Sequence, residues 1–92
     1  MNCDKLQELL QNGSLIIDVR HPDEFVKGNI AGSINIPLHQ IPHNLDQIKD
    51  KSVFLYCRSG ARSELAKQYL LTEGVDAHNL GGINDYIGCV NF

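Results

Sequence analysis

Hydrophobic residues recur along the chain in two alternating patterns, one with helical spacing and one of short apolar runs. The helical spacing predicts amphipathic helices at about residues 3–12, 43–49 and 62–73, and a shorter helix at 22–27 that begins at Pro22. The apolar runs predict strands at residues 15–19, 34–36, 52–56 and 77–80, and a short terminal helix follows Gly82. Strands that alternate with helices favour an α/β fold, in which a small, mostly parallel sheet of four to five strands carries helices on both faces.

The order of these elements also predicts where a ligand would bind. The run at 15–19 is too continuous for a half-exposed strand and is typical of a parallel strand that is buried on both faces. Ligands of such sheets bind outside the carboxyl ends of the strands. The loops after Val19, Ile36, Tyr56 and Leu80 are therefore expected to meet at the functional site.

Length and composition narrow the class of protein. A chain of 92 residues, 42% of them hydrophobic, is expected to form one domain over residues 1–92 with one modest core. The net charge of −3 argues against a nucleic-acid partner, because proteins that bind nucleic acid need a basic surface. The longest apolar run, at 53–57, is far shorter than the ~20 residues of a membrane helix, so no membrane partner is expected.

Cysteine usage predicts a reducing compartment. Three cysteines are too few, and odd in number, for a secreted domain built on disulfides. Asp4, Lys5 and Glu8 interrupt the apolar stretch that a signal peptide would need, which favours a cytoplasmic location. Cys3 and Cys89 are then expected to be ordinary packed or exposed thiols, with a resolving role for Cys89 as the weaker alternative.

The segment from Cys57 to Ser63 joins a predicted strand to a predicted helix and is the most informative part of the sequence. Cys57 leaves the end of the strand, and small residues then let the backbone curl around one point. The amides that open the next helix have no partners within it and are directed to that point. A thiol placed there is expected to be accessible and to ionise more readily than a free thiol, which makes it nucleophilic. The candidate catalytic residue is Cys57, and the candidate substrate-binding residues are Arg58, Ser59, Gly60, Ala61, Arg62 and Ser63.

The chain has only three arginines, Arg20, Arg58 and Arg62, and each lies at a predicted strand end or in this loop. A cation beside a helix N-terminus opposes the helix dipole by about 0.3–1 kcal/mol. Arg58 and Arg62 are therefore poorly placed unless an anion occupies the loop, which predicts a site for an anionic sulfur or oxyanion group. The alternative is a buried structural cysteine beside two solvated arginines.

Several segments of the chain, in order, resemble the signatures of the rhodanese family of sulfurtransferases. The stretches 18–25 and 28–37 resemble the family's N-terminal signature. Residues 53–62 resemble its active-site strand and loop, and the Asn-Leu-Gly-Gly stretch at 79–82 resembles its C-terminal signature. The resemblance covers nearly the whole chain and implies a single rhodanese-like domain.

The resemblance implies a persulfide mechanism and assigns roles to residues. Cys57 would attack the outer sulfur of a small anionic donor such as thiosulfate, release sulfite and hold the transferred sulfur as a persulfide. A thiophilic acceptor, such as cyanide, a thiol or a protein, would then remove that sulfur. The loop amides would hold the terminal sulfur, and Arg58 and Arg62 would orient the donor. Asp18 and Arg20 would brace the loop, or would form a buried ion pair with no direct catalytic role.

Two other functions are compatible with the same fold. Phosphatases and arsenate reductases of related fold use a Cys-x5-Arg loop that accommodates a tetrahedral anion. The interval from Cys57 to Arg62 is one residue shorter, which favours sulfur transfer. A non-catalytic sulfur carrier or interaction module is the other alternative, although such modules of this family commonly lack the cysteine that is present here.

The remaining unusual positions add no second function. Asn29 stands where the family usually has histidine, and Tyr86 lies near a position that is often tryptophan; both are interpreted as packing variations. His39 and His43 have a spacing that could hold zinc on a continuous helix, but Pro42 interrupts that helix and no third ligand is evident. No metal and no organic cofactor is therefore expected.

Overall fold

The chain folds into alternating helices and strands in a computed structural model that describes residues 1–92. The helices are α1 (Cys3–Gln11), α2 (Pro22–Phe25), α3 (Leu45–Ile48) and α4 (Ala61–Thr72). The strands are β1 (Leu15–Asp18), β2 (Asn29–Ile30), β3 (Ile34–Asn35), β4 (Ser52–Cys57), β5 (Asp76–Gly82) and β6 (Val90–Asn91). Two 3₁₀ segments complete the chain, the first at Leu38–Asn44 and the second at Ile83–Cys89. None of the helices has the length and hydropathy needed to cross a membrane.

Four parallel strands form the main sheet, in the order β3-β1-β4-β5. β1 and β4 lie at its centre, and their register places Asp18 beside Tyr56 at the carboxyl edge. α4 covers one face of the sheet and buries Ala66 and Leu70 there, whereas α1 covers the opposite face and buries Leu6. The predicted α/β class, with a small parallel sheet and helices on both faces, is confirmed.

The two faces of the sheet bury different amounts of apolar surface. The face under α4 holds a cluster of 12 buried residues, and the face under α1 holds a cluster of 6. Successive residues of a strand point to opposite faces, so Leu55 and Cys57 of β4 belong to the larger cluster and Tyr56 belongs to the smaller one. The candidate catalytic cysteine is therefore continuous with the main core.

The carboxyl end of β5 is shaped by an irregularity and by a glycine. Leu55 pairs with Asn79, but the next pair between β4 and β5 skips Leu80, so the register shifts at this point. A Cβ atom on Gly82 would lie 2.6 Å from the carbonyl oxygen of Arg58, a distance that no ordinary side chain tolerates. Glycine at this position lets β5 approach the loop that follows β4.

The carboxyl-terminal segment differs from the prediction of a strand and one short helix. β5 continues to Gly82, the second 3₁₀ segment follows, and β6 then pairs with β2 in a small antiparallel sheet. Ile30 lies opposite Val90 in this pair. Strands of two residues have no periodic pattern, and these two are distant in the chain, so the sequence pattern could not predict their pairing.

The expectation that Cys3 and Cys89 are separate thiols is wrong, because the two residues form a disulfide. Their Cα atoms are 5.4 Å apart although 86 residues separate them in the chain. α1 begins at Cys3 and the second 3₁₀ segment ends at Cys89, and these two elements pack together on the same side of the main sheet. The odd number of cysteines concealed the pair, because Cys57 is the one that stays free.

Loss of this disulfide is expected to destabilise the fold. A cross-link that closes a loop of this length stabilises the native state by about 4–5 kcal/mol in the chain-entropy model. The double variant Cys3→Ser, Cys89→Ser should therefore have a lower free energy of unfolding than the oxidised wild type in urea titrations. With dithiothreitol present, both proteins should unfold at nearly the same urea concentration. A difference that persists under reduction would assign the effect to side-chain packing rather than to the cross-link.

Candidate functional site

Cys57 is the last residue of β4 and lies at the carboxyl edge of the main sheet, where the loops were predicted to meet. Its relative exposure is 1%, and it packs within the larger core cluster. The expectation of an accessible thiol is therefore wrong for this structure. The chain turns back over its own cysteine between β4 and α4, so the loop of residues 58–63 encloses the sulfur.

Two polar groups of this loop contact the sulfur of Cys57. The backbone N–H of Gly60 donates to Sγ at 3.0 Å, and the hydroxyl of Ser63 lies 3.5 Å from Sγ. Gly60 has a φ of +97°, a left-handed conformation that glycine adopts without steric cost. The structure thus brings together Cys57, Gly60 and Ser63, and it does so with an amide and a hydroxyl directed at the sulfur.

Opposing effects set the pKa of the Cys57 thiol. Burial raises this pKa, because a thiolate loses its hydration. Hydrogen bonds from the side chain of Ser63 and from the amides of Ser63, Ser59 and Gly60 lower it by more, so the pKa lies below the ordinary value for a thiol. The thiolate is therefore favoured mainly by neutral donors of the loop.

A network centred on Asn79 of β5 holds these donors in place. Its Nδ2 donates to the carbonyl of Gly60 and to the carboxylate of Glu64, both at 3.1 Å. Its Oδ1 accepts from the amide of Gly81 at 2.9 Å and lies 2.7 Å from the hydroxyl of Ser63, whose single proton it shares with Sγ of Cys57. Both residues that contact the sulfur are thus anchored to β5. Asn79 lies in the stretch 79–82 that carried the family resemblance, but the sequence alone gave it no role in the site.

The two arginines of the loop have different surroundings. Arg58 is exposed and belongs to none of the ion pairs. Arg62 forms a two-pronged ion pair with Glu24 of α2, in which Nη1 and Nη2 donate to the two carboxylate oxygens at 2.9 and 3.2 Å. The prediction that Arg62 is poorly placed without a bound anion is therefore wrong, because Glu24 supplies the negative charge from within the chain.

Glu24 is held in position from two sides. The backbone N–H of His21 donates to its Oε1 at 3.2 Å, while Arg62 holds both oxygens. The hydrogen bonds from Arg62 are the main cause that lowers the pKa of Glu24 to about 2, with help from the His21 amide and from the charges of Arg62 and Arg20 against partial burial. Glu24 is therefore ionised throughout the physiological pH range. It lies in the resembling stretch 18–25, yet no site role was expected for it.

Asp18 and Arg20 form a buried ion pair at the end of β1. Nη2 of Arg20 lies 2.7 Å from Oδ2 of Asp18, and their side chains are 8% and 0% exposed. Arg20 also donates to the carbonyl of Gly28 at 2.6 Å, which ties β1 to the turn that precedes β2. The side chains of Asp18 and Arg20 thus make hydrogen bonds with each other and with Gly28, and not with the loop of Cys57. The structure thus favours the ion-pair alternative over a direct brace of that loop.

The other candidate residues lie at the periphery or elsewhere. Ser59 and Ala61 are exposed, and of the two only Ser59 acts on the sulfur, through its backbone amide. Cys89 is bonded to Cys3, so it does not serve as a resolving partner of Cys57 while that disulfide is formed. No group of three or more His, Cys, Asp or Glu side chains is arranged to hold a metal ion.

The two positions that depart from the family pattern have structural partners. The side chain of Asn29 donates to the carbonyl of Phe25 at 3.0 Å. Tyr86 is 8% exposed, and its hydroxyl donates to the carbonyl of Leu80 at 2.8 Å. Both contacts are internal to the fold and agree with the interpretation of these positions as packing variations.

Known proteins with similar sequences include sulfurtransferases and a tRNA-modifying enzyme. The sequence profile of the Rhodanese-like domain matches residues 2–89. A sulfurtransferase of Allochromatium vinosum is 44% identical over 61 residues, which are 65% of this chain and 57% of that protein. The thiosulfate sulfurtransferase PspE of Escherichia coli is 34% identical over 73 residues, 75% of this chain and 70% of PspE. A tRNA uridine(34) hydroxylase of Synechocystis is 38% identical over 90 residues, 87% of this chain and 32% of the hydroxylase.

Solved structures share this fold. The crystal structure of reduced Bacillus anthracis CoADR-RHD superposes with a TM-score of 0.85 at 31% identity, covering 100% of this chain and 18% of that one. A structure of rhodanese with anions from Escherichia coli gives a TM-score of 0.74 at 32% identity, covering 79% of this chain and 91% of that one. The chain spans about half the length of the first curated relatives that it matches.

Removal of the Ser63 hydroxyl is expected to raise the pKa of Cys57. Ser63→Ala deletes the hydrogen bond that lowers this pKa most, and hydrogen bonds to charged groups contribute about 1.5–3 kcal/mol. At a pH below the thiol pKa, alkylation by iodoacetamide should therefore slow by about tenfold, and its pH profile should move to higher pH. Ser52→Ala, at the opposite end of β4, is the matched control and should keep the wild-type profile. An unchanged profile in Ser63→Ala would mean that the amides alone hold the thiolate.

Removal of one partner of the buried ion pair is expected to destabilise the protein. Asp18→Ala leaves the guanidinium of Arg20 buried without its carboxylate, a change that costs about 3–5 kcal/mol in comparable pairs. Urea titration should show this loss as a lower unfolding midpoint. Asp46→Ala removes the carboxylate of an exposed pair with Lys49 and should cost less than about 1 kcal/mol. Equal losses in the two variants would show that Arg20 is stabilised without Asp18.

Proposed function

The chain belongs to the rhodanese-like sulfurtransferase family, and from that premise we propose that it moves sulfane sulfur through a persulfide on Cys57. The observation that carries this proposal is the pair of polar contacts on the sulfur, from the Gly60 amide and the Ser63 hydroxyl. They favour the thiolate, which is the nucleophilic form of cysteine. The same donors can hold the negative charge of a terminal persulfide sulfur.

The first half-reaction loads the cysteine. The thiolate of Cys57 attacks the outer sulfur of a donor such as thiosulfate, and a sulfur–sulfur bond forms. The bond between that outer sulfur and the rest of the donor breaks, and sulfite leaves with the electron pair. No proton is required, because a thiolate and a thiosulfate dianion become a persulfide anion and a sulfite dianion.

The second half-reaction returns the cysteine to its resting state. An acceptor nucleophile, either cyanide or a thiolate, attacks the outer sulfur of the persulfide. The electron pair of the cleaved bond returns to Sγ of Cys57 as a thiolate, and the product is thiocyanate or a new persulfide. A protein thiol is an acceptor of the same chemistry and is part of the proposal.

The burial of Cys57 limits what can reach it. At 1% exposure the residue offers little surface, so only a reagent with a small terminal reacting group reaches the sulfur. Thiosulfate and persulfides both end in a single sulfur atom and meet this requirement, whereas bulky electrophiles do not. Arg58, which is exposed and unpaired, is the cation free to attract an anionic donor to the loop.

The alternatives are less well supported by the geometry. In a phosphatase of related fold the loop arginine grips the oxygens of the bound anion. Here the guanidinium of Arg62 is engaged by both oxygens of Glu24, and the loop is one residue short. An interaction module that holds no sulfur would not need the hydrogen bonds that lower the pKa of Cys57.

For the compartment we propose the cytoplasm, where Cys57 and thiol acceptors stay reduced. The Cys3–Cys89 disulfide is the feature that opposes this location, because disulfides are rare there. The fold is compatible with a cytoplasmic location if Cys3 and Cys89 are reduced in the cell. α1 and the second 3₁₀ segment would then still pack through side chains such as Leu6 and Tyr86.

Exposure to thiosulfate is expected to load Cys57 with sulfur. The intact mass of the wild-type protein should rise by one sulfur atom, and cyanide or dithiothreitol should reverse the gain. Cys57→Ser should show no gain and should keep the fold, because the change in volume is small. An Arg58→Ala variant should need a higher thiosulfate concentration for half-maximal loading, since it loses the unpaired cation.

Sulfur loading, together with parallel assays on a phosphate ester and on arsenate, separates sulfur transfer from the alternative functions. Failure of the wild-type mass to increase with thiosulfate or with a small persulfide would overturn the proposed function. Release of phosphate from a phosphate ester, or reduction of arsenate, by the wild type and not by Cys57→Ser would replace it with the rival chemistry.

A further inference from the structure

Two of the three arginines near the carboxyl edge of the main sheet are paired with carboxylates. Asp18 holds Arg20, and Glu24 holds Arg62, each through short hydrogen bonds to the guanidinium. Only Arg58 lacks a carboxylate partner. A site whose proposed donor is a small anion therefore has one uncompensated cation, not three.

The Glu24–Arg62 pair differs from the buried pair in its accessibility. The side chains of Arg62 and Glu24 are 31% and 27% exposed, so a molecule that approaches the loop meets both of them. The pair also joins two elements that flank Cys57, because Glu24 lies on α2 after β1 and Arg62 lies in the first turn of α4. The backbone N–H of His21 anchors the carboxylate from the other side.

Arg62 and Cys57 lie at the two ends of the same loop, since Cys57 ends β4 and Arg62 is in the first turn of α4. The pKa of Arg62 is raised first by its hydrogen bonds with Glu24, and also by the charges of Glu24, Cys57 and Asp18. A guanidinium in this position would attract an incoming anion if its own charge were free. As long as Glu24 neutralises it, that attraction is largely cancelled.

We propose that Glu24 is a specificity-determining residue, which holds Arg62 in a neutral pair and thereby weakens the preference of the Cys57 site for anionic reagents. The inference deepens the proposed function and rests on it for one consequence. The natural donor would be a sulfane-sulfur compound of lower total negative charge, such as the monoanion of a small or protein-bound persulfide, in preference to the thiosulfate dianion.

A matched pair of alkylating reagents tests the proposal without relying on sulfur transfer. Iodoacetate is an anion and iodoacetamide is neutral, and the two have nearly the same size. The ratio of their alkylation rates on the same thiolate does not depend on the fraction of thiolate or on access to the loop. It therefore reports the effect of the charge of the reagent. In the oxidised protein Cys57 is the only free cysteine, so the label reports this site alone.

The variant to compare with wild type is Glu24→Gln, which keeps the shape of the side chain and removes its charge. Its iodoacetate-to-iodoacetamide rate ratio should rise by about three- to tenfold at low ionic strength, and the gain should shrink in concentrated salt. Glu8→Gln removes the same charge from α1, where Glu8 pairs with Lys5, and is the control that should keep the wild-type ratio. A ratio in Glu24→Gln equal to that of the control would overturn the proposal.

The Arg62 partner of the pair supplies a second test. Arg62→Gln leaves the Glu24 carboxylate unpaired and should lower the ratio below the wild-type value, while the double variant Arg62→Gln, Glu24→Gln, in which the pair again has no net charge, should return it to about the wild-type value. A wild-type ratio in Arg62→Gln would overturn the proposed role of the pair. A purely mechanical tie between α2 and α4 would instead alter both alkylation rates alike and leave the ratio constant in every variant, which also contradicts the proposal.

Steady-state assays then connect the pair to the donor. In Glu24→Gln the KM for thiosulfate, a dianion, should fall by several-fold with little change in kcat, while the KM for a small persulfide, a monoanion, should fall by a smaller factor. Equal changes for both donors would contradict a charge-based role. If the alkylation ratios change as expected but no protein variant forms a persulfide, the proposed function fails while the assignment of Glu24 stands.

Discussion

The loop after β4 must bend so that its backbone amides face a single sulfur atom, and most of the site depends on how that bend is held. Gly60 supplies the left-handed turn, with a φ of +97°. A Cβ on Gly60 would lie 3.2 Å from the Cα of Gly81, and one on Gly82 would collide with the carbonyl of Arg58. The loop is therefore shaped by close contact with the end of β5. Asn79 adds polar bonds across the same contact, so the strand that neighbours β4 acts as a template for the cysteine loop.

This arrangement resolves a conflict between burial and ionisation. A sulfur within the core is protected from bulky reagents, but burial alone would raise the pKa of the thiol and favour its protonated, less nucleophilic form. The chain offsets that cost with an amide and a hydroxyl directed at Sγ. The arginines, which the sequence suggested as the source of positive charge, are committed to carboxylates in two of three cases. Neutral hydrogen-bond donors can stabilise a thiolate and a persulfide in turn without binding either anion so tightly that it is trapped.

The parts of this structure that could be predicted from the sequence are those that depend on local pattern. The apolar runs of β1 and β4 and the helical spacing in α4 specified a parallel sheet with its site at the carboxyl edge. Pairs between distant side chains left no such pattern. Nothing in the spacing of Glu24 and Arg62, or of Cys3 and Cys89, indicates that they meet, because the fold alone brings them together. The role of Asn79 could not be predicted for the same reason, because it depends on the register of β5 beside the loop.

The disulfide and the candidate site, although they lie on different faces of the sheet, are linked by one continuous segment. Gly82 ends β5 against the loop of Cys57, and the second 3₁₀ segment runs from there to Cys89. Along the way Tyr86 returns a hydrogen bond to the carbonyl of Leu80, which fixes the segment to the same strand that carries Asn79. The disulfide to Cys3 therefore restrains the carboxyl-terminal end of this segment. The amino-terminal end of the segment, at Gly82, contacts the loop of Cys57. In a domain with so small a core beneath α1, the cross-link thus joins α1 covalently to the segment that begins beside the loop of Cys57.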